Sequence, residues 1–196
     1  QSMTRAFYGA ENMQLYASDA PDLTDAEFLS DMFRDCSTLN ADLNHWDVSP
    51  VTNFSGMFLG AENFNGDISS WDVSNAINFS YMFEDATAFN QDISSWDTGN
   101  VTNMGSTFLF ATAFNQDVGS WNTGNVTDMD YLFGGATSFD QSLASWRGSL
   151  EQALALSPEH LSLYALTLSP ETPMGQSVAC GELPELFAVR KRKCPH

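Results

Sequence analysis

Lysine is almost missing from this chain: two residues in 196, Lys191 and Lys193, both close to its C-terminal end. Residues 1–146 hold only two basic residues, Arg5 and Arg34, against 20 acids, and the whole chain carries a formal charge of −18. A surface this acidic repels nucleic acid and anionic membranes. It suits a saline exterior, where ions screen self-repulsion. Cysteine is nearly as scarce. Cys36, Cys180 and Cys194 are too few and too scattered for a disulfide framework, and no CxxC occurs. Cys36 reads as a small apolar filler. There is no apolar run of membrane-spanning length. The first residue is Gln1, which fits a mature or trimmed chain. Also missing are HExxH, the P-loop, GxGxxG and GxSxG, while His45, His160 and His196 are dispersed. The many carboxylates occupy repeating and therefore like environments, whereas a catalytic pair needs unlike ones. The expectation is a chain that is not an enzyme.

What is present is a period. All five tryptophans, Trp46, Trp71, Trp96, Trp121 and Trp146, stand 25 residues apart. Phe64, Phe89, Phe114 and Phe139 share that lattice, as do Asn40, Asn65, Asn90, Asn115 and Asp140, and Leu43, Ile68, Ile93, Val118 and Leu143. A strict period of this size marks a stack in which no single coil buries its apolar face alone. Residues 1–146 read as the repeat domain, about five and a half coils with an atypical first one, and residues 147–196 as a non-repeat tail.

Within each coil, groups such as Phe54, Met57, Phe58 and Ala61 fall at i, i+3, i+4 and i+7, the stripe of a short amphipathic helix. That stripe predicts a helix from Thr102 to about Phe110, capped by Asn100 or Thr102. The stretch Phe89 to Trp96 is rich in β-formers and predicts one short parallel strand per coil. Ser74-Asn75 and Gly99-Asn100 supply the turn between them. The expected fold is an α/β solenoid: a right-handed, leucine-rich-repeat-like stack with one short strand and one short helix per 25-residue coil. The asparagine column is expected to bond the backbone of the neighbouring coil.

The unit Phe-Asn-Gln-Asp-Ile-Ser-Ser-Trp-Asp-Thr-Gly-Asn-Val-Thr-Asn-Met, residues 89–104, closely resembles the BspA-like, leucine-rich-repeat-related surface-protein repeats, and the likeness covers roughly residues 3–146. The resemblance implies an extracellular or cell-surface protein, with some members associated with adhesion to matrix proteins or cells. It carries no catalytic residues.

Asp67, Asp92 and Asp117 form one acidic column, and Asp47, Asp72 and Asp97 another, broken at Asn122. Like charges in register on strands roughly 4.8 Å apart cost energy unless a cation or hydrogen bond offsets them. The first column is therefore the candidate binding site. Calcium, which takes six to eight oxygens, would suit it, although no EF-hand loop or calcium nonapeptide occurs. No other cofactor is expected. Thr87, Thr112 and Thr137, with Thr52, Thr102 and Thr127, raise an ice-binding alternative. Four N-glycosylation sequons, at Asn53, Asn78, Asn100 and Asn125, arise from the repeat itself.

Past Trp146 the period stops. Residues 147–156 read as a helix, 160–168 as a strand, and Arg190 to Lys193 as a basic run. Ser-Leu-Glu-Gln-Ala-Leu and Pro-Glu-His-Leu-Ser-Leu-Tyr-Ala-Leu-Thr are similar to words of the oxygen-independent coproporphyrinogen oxidase-like radical SAM proteins, over residues 145–186. The CxxxCxxC motif is absent, so no cluster thiolates are present to supply electrons. The tail therefore reads as a fused remnant, from natural recombination or from assembly of two sources. Its leucines could cover the open end of the last coil, an end otherwise suited to self-association. Together these features lead us to expect a non-enzymatic cell-surface or secreted scaffold with protein or glycan partners. A calcium-dependent structural surface protein is the alternative.

Overall fold

The computed structural model describes residues 2–16 and 19–141, and the expected helix, strand and capping role of residues 147–196 lie outside them. Successive coils lie one on another. Isolated parallel bridges join Ser2 to Phe28, Phe28 to Asn53, Asn53 to Asn78, Asn78 to Asn103, and Asn103 to Asp128.

The expected α/β elements are not there. Among the described residues no α-helix and no extended strand forms, so the α/β solenoid of one strand and one helix per coil is corrected to a stack built of turns. The physical reason lies in where the amides of the Phe/Met segment go. Met57 N–H donates to the Phe54 carbonyl (3.1 Å), Leu59 to Gly56 (3.1 Å) and Ala61 to Phe58 (3.0 Å). These bonds close β-turns, whereas a helix would reach back four residues. The amides between them leave the coil. Phe54 donates to Asn78, Gly56 to Ser80, Phe58 to Met82 and Gly60 to Glu84, at 2.8–3.0 Å. The segment is a ribbon of overlapping turns in which alternate N–H groups hold the next coil.

This ribbon needs left-handed backbone at two positions per coil. Asp31, Gly56, Tyr81, Ser106 and Tyr131 all have φ between 54° and 62°. So do Asp35, Gly60, Asp85, Phe110 and Gly135, between 57° and 69°. Each is the third residue of its turn, where type II geometry requires positive φ. Overlapping turns bury residues at three- and four-residue intervals, so they copy the stripe of a helix.

The stretch predicted as strand, Phe89 to Trp96, is likewise not one. The bridges sit instead at the start of the ribbon. In the 89–96 region side-chain amides do the linking that backbone would do in a sheet. Asn65 N–H donates to Asn40 Oδ1, Asn90 to Asn65, Asn115 to Asn90 and Asp140 to Asn115, all at 2.9 Å. Turns do stand at Ser74-Asn75 and Gly99-Asn100.

The core is a set of aromatic columns. Phe7, Phe33, Phe58, Phe83, Phe108 and Phe133 stack at 5.4–5.7 Å. Phe64, Phe89, Phe114 and Phe139 stack at 5.9–6.0 Å, and the two columns touch at 3.9–4.0 Å. Trp71, Trp96 and Trp121 form a third, with ring planes 3–6° apart. Each of these indole N–H groups donates to a carbonyl 28 residues earlier: Leu43, Ile68 and Ile93. Cys36 is buried in this core, where desolvation raises its thiol pKa.

Candidate functional site

The acidic columns come first, because sequence singled them out. The Oδ1 atoms of Asp67, Asp92 and Asp117 accept the N–H two residues on, from Ser69 (2.9 Å), Ser94 (3.0 Å) and Gly119 (2.9 Å). Asp47, Asp72 and Asp97 do the same to Ser49, Ser74 and Gly99, and Asn122 does so to Gly124. Asn53, Asn78, Asn103 and Asp128 repeat the device at a third corner, before the ribbon. Such side-chain-to-backbone bonds form Asx-turns. The columns are thus the corners of each coil. Among the described residues no group of three or more His, Cys, Asp or Glu side chains is placed to hold a metal ion.

The hydroxyls of Ser49, Ser74 and Ser94, and then the turn amides, lower the carboxyl pKa values of Asp47, Asp72 and Asp92. A carboxyl depressed in the folded state contributes stability that is present above its unfolded pKa and is lost as pH falls through the folded value. Glu84 is opposite in sign. Desolvation, then repulsion from Asp85, raises its pKa, so its unfavourable share is relieved as pH falls. Asp92→Asn keeps the corner acceptor, as Asn122 does. We expect it to change stability at neutral pH by no more than about 0.5 kcal/mol. Below about pH 4 it should unfold less readily than the parent, and acid titrations followed by circular dichroism compare the two.

The other repeated polar positions are also occupied by architecture. Thr52, Thr87, Thr102, Thr112 and Thr127 hydroxyls donate to carbonyls of the preceding coil. Asn75, Asn100 and Asn125 reach back to Ser49, Ser74 and Gly99. The sequon residues Asn53, Asn78, Asn100 and Asn125 thus all serve within the stack.

What the repeat does not dictate is the outer side of the turn ribbon. One column there reads Asp31, Gly56, Tyr81, Ser106, Tyr131; the next reads Arg34, Leu59, Glu84, Leu109, Gly134; a third reads Asp35, Gly60, Asp85, Phe110, Gly135. These columns change character from coil to coil. They carry Tyr81, Phe110 and Tyr131, which are 47%, 49% and 55% exposed. All three bulky rings sit on left-handed backbone, at φ 60°, 58° and 57°. Such a conformation costs an L-residue about 1–2 kcal/mol, and strain of this kind collects where side chains serve a purpose beyond stability. Tyr81→Gly, matching Gly56 one coil earlier, is therefore expected to stabilise the fold by roughly 1 kcal/mol; thermal melting checks it. A loss of stability would mean that the ring packs rather than presents. Sequence reading missed this face because it followed columns that repeat.

At the N-terminal end the same ribbon shows what such rings hold. The guanidinium carbons of Arg34 and Arg5 lie 5.6 and 5.7 Å from the centroid of Tyr8. Arg5 also pairs with Asp31 (3.2 Å), and Arg34 with Asp31 (3.4 Å) and Asp35 (3.7 Å).

The described residues thus form a stack of turn-built coils with Asp or Asn at the corners of the central coils and one variable ribbon. The chain belongs to the family described as "Mycoplasma protein of unknown function, DUF285", whose model matches residues 1–98 and again residues 80–155. No curated protein and no solved structure matches it.

Proposed function

We propose that this chain is a non-enzymatic scaffold of the cell surface or the secreted space, which engages protein or glycan partners through its turn ribbon. One observation carries the reading. The repeated polar columns are bonded within the stack, while the variable ribbon carries five of the seven exposed aromatic rings among the described residues, Phe7, Tyr8, Tyr81, Phe110 and Tyr131. An extended repetitive surface is the ordinary working part of a stacked-coil protein, and exposed aromatics beside polar groups mark interaction sites. The likeness of residues 89–104 to BspA-like surface repeats supports the same reading. The test is retention of the full chain on immobilised matrix proteins, glycans and intact cells. Binding to at least one class is expected. Failure on all three, or turnover of a porphyrinogen after iron–sulfur reconstitution, would overturn the proposal.

A further inference from the structure

We propose that the ribbon face bearing Tyr81, Phe110 and Tyr131 with Glu84 and Asp85 takes an arginine- or lysine-bearing segment of a partner protein. The inference rests on the scaffold reading and gives its ligand a chemistry.

The N-terminal coils supply the pattern: Tyr8 beneath two guanidinium groups, with Asp31 and Asp35 pairing them. Two and more coils further along, the same ribbon again sets aromatic rings among carboxylates. Among the described residues no lysine or arginine follows Arg34 in sequence, so these rings and carboxylates have no cation on their own coils. Glu84 feels Arg34 only as the smallest of its influences, behind desolvation and Asp85. Tyr81 and Tyr131 share a column two coils apart, about 10 Å at ordinary inter-strand spacing, which an extended peptide covers in three residues. Phe110 lies in the third column, beyond that of Glu84, its ring over Gly135, where a side chain would collide with it.

A cation over an aromatic face is attracted by the ring quadrupole, most strongly when partly desolvated. Flanking carboxylates add charge-assisted hydrogen bonds. A neutral glycan would use the rings but gain little from Glu84 and Asp85. The net charge of −18 favours a cationic partner over an anionic one.

The test uses a fluorescent hexa-arginine peptide, the full chain and two variants. The first carries Tyr81→Ser, Phe110→Gly and Tyr131→Ser. Each replacement already occupies the same column in another coil, at Ser106 or Gly60, and the charge is unchanged. The second carries Asp72→Asn, Asp92→Asn and Asp97→Asn, which removes three charges from the corners and keeps their acceptors. Melting curves confirm that both fold. At about 0.15 M salt the aromatic variant is expected to bind at least about tenfold more weakly, and the corner variant within about twofold of the parent. Absence of peptide binding by the full chain overturns the proposal. So does equal weakening in both variants, which would mean bulk charge alone. Adhesion to matrix or cells that survives the aromatic variant refutes this face and leaves the scaffold reading standing. Face-dependent peptide binding without adhesion does the reverse.

Discussion

Replacing Trp96 by alanine is expected to destabilise the fold by about 3–5 kcal/mol, the range for truncating a large buried aromatic. The indole is 4% exposed and lies between Trp71 (6.3 Å) and Trp121 (6.2 Å), while Phe79 touches it at 5.7 Å. Its N–H donates to the Ile68 carbonyl. Truncation would open a void between the two neighbouring indoles and take from that carbonyl one of its two donors, the other being the Trp71 N–H (3.2 Å). Pro21→Ala, in the loose first coil, should stay within about 0.5 kcal/mol. Denaturant midpoints with unchanged m-values compare the two. Equal costs would show that the tryptophan column does not bear the stability of the stack.

The second large effect is expected at Asn90. Its Oδ1 accepts the backbone N–H of Asn115 (2.9 Å) and the side-chain Nε2 of Gln116 (2.9 Å), and its own N–H donates to Asn65 Oδ1. Asn90→Ala takes the acceptor from a main-chain amide between coils, and since that bond is exposed to water the cost is about 0.5–1.5 kcal/mol. Asn90→Asp keeps an oxygen in that place and should recover most of the loss at neutral pH. Chemical denaturation of the three proteins decides the matter. If aspartate is no better than alanine, the ladder acts through the amide NH2 and not through its oxygen.

Periodic residues made the stack, its coil length and its aromatic columns legible, because Trp46 to Trp121 and Phe58 to Phe133 are buried in every coil. The elements were not legible from the same residues. Phe54, Met57, Phe58 and Ala61 have the spacing of a helix and of three overlapping turns alike. A different signal separates the two. Asp31, Asp35, Gly56, Gly60, Asp85 and Gly135 sit inside the supposed helices, and they are the residue types that tolerate positive φ. Asp67, Asp92 and Asp117 looked like ligands because they align. Their neighbours two residues on, Ser69, Ser94 and Gly119, were the sign of Asx corners. The aromatic face escaped because Tyr81, Phe110 and Tyr131 interrupt columns instead of forming one.

The main-chain bonds of the asparagine ladder each span 25 residues, its glutamine bonds span 26, and the ribbon bonds from Phe54 through Phe110 each span 24. The first coil is one residue longer, since its ribbon bonds from Met3 to Phe28 and Arg5 to Ser30 span 25. In the central coils only a change of 25 keeps every column in register. Excising 25 consecutive residues from the middle, for example 79–103, would join Asn78 to Met104 and leave each column facing its own kind. Excising 24 or 26 would shift every ladder on one side of the scar relative to the other. Gain or loss of whole coils is thus the length change that keeps the central columns in register. It would lengthen or shorten the ribbon while the corners stayed as they are.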